Sequence, residues 1–243
     1  MDNLEELERK LVSWLQERVV QAGAKGTVVG LSGGLDSAVV AVLCQKAFPQ
    51  ENLAVIMPCH SMEEDAAHAK LLAEEFGIPY RLLTLDTVYD SMLALLTEDM
   101  AGDEVLAIAR ANLKPRLRML VLYFYAAQHN YLVVGTSNRS EIAVGYFTKY
   151  GDGGADLLPL GNLVKTEVVA LASHLGIPRE IIEKPPSGGL WPGQTDEAEM
   201  GISYRDLDAY LKGGKIDPLV QARIEDLQRK SQHKRERPPI PDF

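Results

Sequence analysis

The stretch VVGLSGGLDSAVV, residues Val28–Val40, decides the fold because it joins two apolar runs through a turn of Ser, Gly and Asp. Gly33 and Gly34 let the backbone approach a ligand closely, and the free N–H groups that begin the next helix favour an anion. The turn lacks the lysine of a Walker A loop. Asp36 alone is explained by stabilisation of the helix start, whereas the whole string S-G-G-L-D-S after a strand favours an anion site.

Short β-type runs alternate with helical patterns on both sides of this turn. The strand-like runs begin near residues 26, 52, 80 and 131, and each is followed by a helical pattern. Ser61, with Glu64 three residues later, is typical of a capping box and predicts the start of a helix that ends at Gly77. The alternation predicts an α/β fold with a doubly wound, mostly parallel sheet and helices on both faces.

A long helical pattern from about residue 103 to residue 128 is apolar on more than one face in its second half. Packing against a single sheet needs only one apolar stripe. The additional face predicts either a homodimer interface or burial by the amphipathic first helix of the same chain. The sequence leaves both explanations open.

The composition is that of a globular protein, with 243 residues of which 46% are apolar and 24% are charged. It predicts one domain, residues 1–243. Within it, the Gly- and Pro-rich stretch 185–200 is predicted to be either disordered or a flexible lid, and 201–243 to form C-terminal helices and a basic tail. A net charge of −9 argues against nucleic-acid binding, and no apolar run is long enough for a membrane span. Two cysteines and no signal peptide predict a cytoplasmic location.

A carboxylate in an anion-binding turn needs a compensating charge. Asp36 would repel a pyrophosphate unless a divalent cation bridged them, and Mg²⁺ takes one or two carboxylates together with phosphate oxygens. A second carboxylate, Glu141, follows the fourth strand, with Thr136 and Ser137 at the turn between them. The sequence therefore predicts that Asp36 and Glu141 share a Mg²⁺ ion with substrate phosphates.

The S-G-G-L-D-S loop resembles that of the ATP pyrophosphatases, which cleave ATP to AMP and pyrophosphate. Five further blocks, in order, resemble the ammonia-dependent NAD synthetases: ANLKPRLRM (111–119), GTSNRSE (135–141), GYFTKYGDGGADLLPLGNLVKTEV (145–168), KPPSGGLWPGQTDE (184–197) and HKR (233–235). The resemblance implies a homodimer that converts nicotinic acid adenine dinucleotide, ATP and ammonia to NAD⁺, AMP and pyrophosphate. The loop lies too near the N-terminus for a preceding glutaminase domain, so ammonia is the expected nitrogen source unless a separate glutaminase delivers it.

The resemblance also implies roles for individual residues. ATP would be bound by Gly30, Leu31, Ser32, Gly33, Gly34, Leu35, Asp36, Ser37, Thr136, Lys165 and Ser187. The dinucleotide would be bound by Arg116, Lys149, Asp156, His233 and Lys234. The expected catalytic set is Asp36, Glu141, Asp152 and Lys165, in which Asp36 and Glu141 hold Mg²⁺ and Asp152 is a candidate base for ammonium.

Three of these residues have simpler explanations. Asp152 also suits a Gly-rich turn, and Lys149 and Arg116 also suit a solvated surface. Pro115 departs from the family pattern and is expected in the first turn of a helix, where proline is tolerated. Trp191 in the lid could cover the site.

Two other functions remain as alternatives at this stage. Another ATP pyrophosphatase is one, although a tRNA-modifying member would be expected to carry more positive charge or paired cysteines. A non-catalytic nucleotide-binding protein is the other, although it has less need of both proposed Mg²⁺ carboxylates.

Overall fold

Four strands form one all-parallel sheet in the order β3-β2-β1-β4. They are β1 (Gly26–Gly30), β2 (Asn52–Ile56), β3 (Tyr80–Leu82) and β4 (Tyr131–Val134). The structure is a computed structural model that describes residues 3–100, 104–189 and 193–243. The predicted α/β class and parallel sheet are therefore confirmed.

Eleven helices lie within the described ranges. They are α1 (Leu4–Gln21), α2 (Leu35–Ala47), α3 (Glu63–Glu75), α4 (Asp86–Thr97), α5 (Ala107–His129), α6 (Arg139–Val144), α7 (Lys165–Leu175), α8 (Arg179–Ile182), α9 (Asp196–Met200), α10 (Tyr204–Leu211) and α11 (Pro218–Arg235). Helices α1, α2, α3 and α7 cover one face of the sheet, and α4 and α5 cover the other.

The strand side chains alternate between these two cores, as a pleated strand requires. Val29 and Ile56 face α2, whereas Val28, Val55 and Val133 face α5. Both faces are apolar because both are covered, which explains the nearly continuous apolar runs in the sequence.

A third, smaller core joins the C-terminal helices to α6. It contains Val144 of α6, Met200 of α9, Leu207 of α10 and Ile224 of α11, all nearly inaccessible to solvent. Helices α9, α10 and α11 therefore pack onto the helix that follows β4.

The strand order places two loops side by side. The chain moves outward from β1 to β2 and β3, then returns to add β4 on the other side of β1. In open parallel sheets, ligands bind at the carboxyl ends of the strands where the order reverses. The loops after β1 and β4 meet at this point, and they carry Asp36 and Glu141.

Three predictions about where helices begin or end were wrong. Helix α3 begins at Glu63 without a side-chain cap, because the Ser61 hydroxyl instead accepts from the Cys59 N–H at 3.1 Å. Pro115 lies well inside α5 rather than in its first turn, and it packs against Gly151. The basic segment His233–Arg235, predicted as tail, is the last turn of α11.

The outer surface of α5 remains apolar. Leu120 and Phe124 are 63% and 62% exposed, and Leu95 and Leu96 of the neighbouring α4 are also exposed. Helix α1 packs instead on α2 and α7, across the sheet, so burial of this face by the first helix is wrong.

None of the helices in the described ranges has the length and apolar character needed to cross a bilayer.

Candidate active site

Hydrogen bonds within the turn after β1 fix its conformation. The Ser37 hydroxyl donates to the Gly34 carbonyl oxygen at 2.9 Å and accepts from the Ser32 N–H at 3.1 Å. Gly33 has a φ of +81°, and a Cβ there would lie 2.1 Å from the Asp65 carbonyl oxygen. Only glycine fits this position, so the tight packing of the loop on α3 explains that part of the motif.

The flanking leucines of the loop do not face a ligand. Leu31 and Leu35 are buried in the core, so only their backbone groups can take part in the predicted ATP site.

Asp36 turns away from its own helix. One carboxylate oxygen contacts the Lys165 ammonium, and the other accepts from the Asn138 side-chain amide at 3.0 Å. Asp36 thus links the N-terminal ends of α2, α6 and α7. Stabilisation of the helix start does not account for it.

Glu141 lies beside this pair at the start of α6. Its side chain accepts from the Asn138 N–H at 3.1 Å while the Asn138 side chain accepts from the Glu141 N–H, which is a complete capping box. Its other oxygen, Oε1, is 3.8 Å from Lys165 Nζ. The two predicted Mg²⁺ carboxylates therefore converge on one lysine.

Lys165 is a buried cation, only 6% exposed, at the first position of α7. Burial lowers the pKa of Lys165, but Asp36 and Glu141 outweigh burial and raise that pKa above its usual range. Its Nζ also lies 5.2 Å from the centre of the Tyr204 ring, within the range of a cation–π contact. The lysine is therefore charged at neutral pH.

Residues that sequence reasoning missed complete the site. The Tyr204 hydroxyl donates to Asp196 Oδ2 at 2.9 Å and is 3.5 Å from Glu141 Oε1. Asp196 is 5% exposed, and its Oδ1 has no hydrogen-bond partner among the described residues. Burial raises the pKa of Asp196 despite the hydrogen bond from Tyr204.

The donor set fits Mg²⁺. In the described part of the chain, no group of three or more His, Cys, Asp or Glu side chains could hold a metal ion alone. Asp36 and Glu141 supply two hard carboxylate oxygens, which is the number Mg²⁺ takes when phosphates and water complete its shell. A metal at this position would therefore depend on bound substrate.

The basic residues predicted for the dinucleotide form a second group. Arg116 donates to the Lys149 carbonyl oxygen at 3.4 Å, and Lys149 Nζ donates to the His233 carbonyl oxygen at 2.5 Å. Lys234 Nζ donates to the carbonyl oxygens of Gly145 and Phe147 at 2.8 Å each. The helical end of α11 thus brings His233 and Lys234 to the segment 145–149 of the same chain.

The two aspartates of the GDGGAD turn have local partners. Asp156 accepts from the Val133 N–H at 2.8 Å and from the Tyr123 hydroxyl at 3.1 Å, so it joins β4 to α5 and lies apart from the basic group. Asp152 accepts from the Thr148 N–H at 2.9 Å. Burial within the turn raises the pKa of Asp152, although hydrogen bonds from Thr148 and the charge of Lys234 lower it.

The lid is described only in part. Trp191 lies outside the described residues. Ser187 is exposed, and its hydroxyl accepts from the Gly189 N–H at 3.1 Å. Lys184, just before the lid, pairs with Asp65 at 2.5 Å beside the opening turn. The last five lid residues form α9, whose ends Asp196 and Met200 are buried.

Comparison with known proteins agrees with this geometry. Residues 7–238 match the family model described as NAD synthase. The chain belongs to the NAD synthase family. The NH(3)-dependent NAD(+) synthetase of Carboxydothermus hydrogenoformans is 51% identical over 98% of this chain and 98% of its own. That of Archaeoglobus fulgidus is 47% identical over 98% and 97%.

Solved structures of this family extend the agreement to the backbone. An NMN synthetase from Francisella tularensis superposes with a TM-score of 0.95 at 39% identity over 100% of both chains. The NH3-dependent NAD synthetase of Campylobacter jejuni gives a TM-score of 0.82 at 29% identity, again over 100% of both. The sheet and its flanking helices are the NAD synthase fold.

Replacement of Glu141 by glutamine is expected to change how stability depends on pH. Burial first, and then the Asp36 carboxylate, raise the pKa of Glu141 to about 8, although Lys165 lowers it. Between the ordinary value and about 8, the folded protein holds a proton that the unfolded chain has lost. The contribution of Glu141 to the free energy of unfolding therefore falls as the pH rises through this range, by on the order of a few kcal/mol, and is level above it.

Glutamine cannot titrate but can still accept from the Asn138 N–H. The measurement is urea unfolding of both proteins in EDTA from about pH 5 to about pH 9. A difference between them that stays constant across this range would contradict the prediction.

Proposed function

We propose that this chain converts nicotinic acid adenine dinucleotide to NAD⁺ with ATP and ammonia, releasing AMP and pyrophosphate. The observation that carries the proposal is the convergence of Asp36, Glu141 and Lys165 at the junction of the β1 and β4 loops. Two carboxyl groups and a lysine gathered at an anion-binding turn suit a bound polyphosphate with its cation. A protein that binds no such ligand would gain nothing from burying these three ionisable groups together. Full-length relatives named NH(3)-dependent NAD(+) synthetase support it.

The chemistry requires activation of a carboxylate. The nicotinate carboxylate oxygen attacks the α-phosphorus of ATP, and the bond to pyrophosphate breaks. Ammonia then attacks the acyl carbon and AMP leaves. In both steps the chain's contribution is to align the groups and to compensate charge that develops on the leaving phosphate.

The loop residues have distinct parts in this proposal. Backbone N–H groups of the turn after β1 face the phosphates at the start of α2, and Lys165 supplies a fixed positive charge. When bound, Mg²⁺ would be held by Asp36 and Glu141 and would neutralise the pyrophosphate oxygens. Thr136 and Ser187 are proposed as additional ATP contacts.

The dinucleotide is proposed to lie along the basic group. Arg116, Lys149, His233 and Lys234 are gathered at segment 145–149, and Asp156 is proposed at its other end. Ammonium must lose a proton before it can attack, and Asp152 is proposed as the base. The packing that raises the pKa of Asp152 supports that role.

The test is an incubation of the purified chain with nicotinic acid adenine dinucleotide, ATP, Mg²⁺ and ammonium. NAD⁺ and AMP are expected in equal amounts. Formation of ADP in place of AMP, or absence of NAD⁺ at high ammonium, would overturn the proposal. Glutamine in place of ammonium should give no product unless a separate glutaminase is added.

A second candidate substrate is nicotinic acid mononucleotide. The specific observation in its favour is the superposition at a TM-score of 0.95 on a protein named NMN synthetase. The same adenylation chemistry applies, because the reacting carboxylate is identical in the two substrates. A ratio of kcat/KM values above one for the mononucleotide over the dinucleotide would favour this candidate.

We also propose a homodimer formed through the apolar outer faces of α4 and α5. Lys substitution of Phe124, which is 62% exposed on α5, should weaken association. Lys substitution of Val20, which is 72% exposed on α1, is the matched control and should not. Sedimentation equilibrium measures both. A monomeric wild type would contradict the dimer.

A cytoplasmic location remains a prediction from the cysteine content.

A further inference from the structure

Helix α10 buries a carboxylate between the helices that carry Glu141 and Lys165. Asp208 is 3% exposed. Its Oδ1 accepts from the Ser140 hydroxyl at 2.6 Å, and its Oδ2 accepts from the Thr166 N–H at 2.8 Å. Both oxygens are thus engaged at the starts of α6 and α7.

The two partners of Asp208 are the chain neighbours of the site residues. Ser140 immediately precedes Glu141, and Thr166 immediately follows Lys165. The Ser140 oxygen also accepts from the Lys165 N–H at 3.1 Å, which closes a network across both helix starts. A movement of Asp208 would therefore displace the backbone at both site residues.

Burial of the Asp208 carboxylate costs free energy that an apolar residue at this position would not cost. Asp208 lies among the apolar positions of α10, next to the fully buried Leu207. Burial of a charge is unfavourable without good hydrogen bonds, and an apolar residue could fill the same volume. Two hydrogen bonds offset the cost of burial: one from the Ser140 hydroxyl and one from the Thr166 N–H, a free N–H group at the positive N-terminal end of α7.

Helix α10 presents a second residue to the site from the same face. Tyr204 lies one turn before Asp208, at the i, i+4 spacing that aligns two side chains. Its ring lies below the Lys165 ammonium while Asp208 holds the Lys165 backbone through Ser140. One helix face therefore constrains both ends of the lysine.

We infer that Asp208 is a positioning residue, which holds the start of α6 against the start of α7 and so sets the separation of Glu141 and Lys165. That separation is 3.8 Å between Oε1 and Nζ. Lys165 of α7 contacts both Asp36 and Glu141, so the position of α7 against α6 fixes the lysine between the two carboxylates that would share a cation with phosphate. Asp208 therefore acts on the metal-dependent step. This inference rests on the proposed function.

The test compares Asp208→Ala with Asp206→Ala, a control on the same helix. The Asp206 side chain accepts from the Ser203 hydroxyl at 2.7 Å, and within the described residues it has no hydrogen bond or ion pair to a site residue. Residues that orient metal ligands typically change metal affinity or activity by about 10–100-fold. Asp208→Ala is expected to lower kcat by that factor and to raise the half-saturating Mg²⁺ concentration about tenfold, with the KM for the dinucleotide within about twofold. Asp206→Ala should leave all three unchanged.

Ser140→Ala provides a second variant if Asp208→Ala does not fold. It removes the hydroxyl that links Asp208 to the Lys165 N–H, and it should shift kcat and the Mg²⁺ requirement in the same direction by several-fold. Unchanged kcat and Mg²⁺ requirement in a folded Asp208→Ala, or in Ser140→Ala where Asp208→Ala is unfolded, would overturn the inference.

Calorimetry of ATP binding separates this inference from the proposed function. Asp208→Ala should weaken ATP binding about tenfold in Mg²⁺ and leave it unchanged in EDTA. An equal loss in both buffers would show a merely structural role and would overturn the inference. Because ATP binding needs no dinucleotide, this result stands even if the wild type forms no NAD⁺.

Discussion

Replacing Asp36 by alanine is expected to lower kcat by at least about 10³-fold, because a metal held at that carboxylate contributes several kcal/mol of charge stabilisation. Glu141→Ala should have an effect of the same size. Asp36 contacts Lys165 and Asn138, and Glu141 caps α6 through Asn138, so the two carboxylates are tied into one network. The loss should appear in kcat with both variants folded and, if the wild type is a dimer, still dimeric.

The matched control for these variants lies at the other end of the same helices. Glu8 of α1 bridges Lys46 at 2.8 Å and His174 at 2.9 Å, in the last turns of α2 and α7. Asp36 and Lys165 bridge the first turns of those two helices. Glu8→Ala should therefore remove a comparable inter-helix link and leave kcat unchanged. Full activity in Asp36→Ala or Glu141→Ala would remove the two-carboxylate metal site.

The part of this site that the sequence predicts is the part that the order of the strands brings together. Asp36 and Glu141 are more than a hundred residues apart, yet each follows a strand directly. Parallel strands expose their carboxyl ends at one edge, so a pattern of alternating strands and helices is sufficient to bring them together. Lys165 and the basic group came only from resemblance, because no local pattern marks them.

The residues missed by sequence reasoning are those that reach the site through helix packing. Tyr204 and Asp196 arrive because α9 and α10 share a core with α6, a contact that no period in the sequence encodes. Asp208 did leave a signal, a charged residue at an apolar position of an amphipathic helix. Pro115 was mispredicted for a different reason. The preference of proline for the first turn of a helix predicts a helix start at this position, but Pro115 lies inside α5, which packs on the sheet along its length.

Lys165→Met is expected to cost stability as well as activity. Removal of one partner from a buried ion pair typically costs about 3–5 kcal/mol, because the remaining charge is left uncompensated. Here the groups left behind are Asp36, Glu141 and Asp196, all of which act on the Lys165 charge and raise its pKa. Lys46→Met is the matched control: this lysine pairs with Glu8 at a half-exposed position, where pairs contribute about 0–1 kcal/mol.

The loss in Lys165→Met should grow with pH. Without the lysine, the raised pKa of Glu141 rises further, since Lys165 is the neighbour that lowers it. Up to about pH 8, Glu141 is largely protonated in both proteins, and this relieves part of its repulsion from Asp36. Above about pH 8 the wild type loses this proton, whereas the variant must either retain it or ionise Glu141 beside Asp36, and both outcomes lower its stability further. Adding Glu141→Gln should therefore recover more than about 1 kcal/mol of the Lys165→Met loss at high pH, measured by urea unfolding as a double-mutant cycle. Additive losses would mean that Glu141 and Lys165 act independently, and the shared charge network that supports the proposed metal site would have to be abandoned.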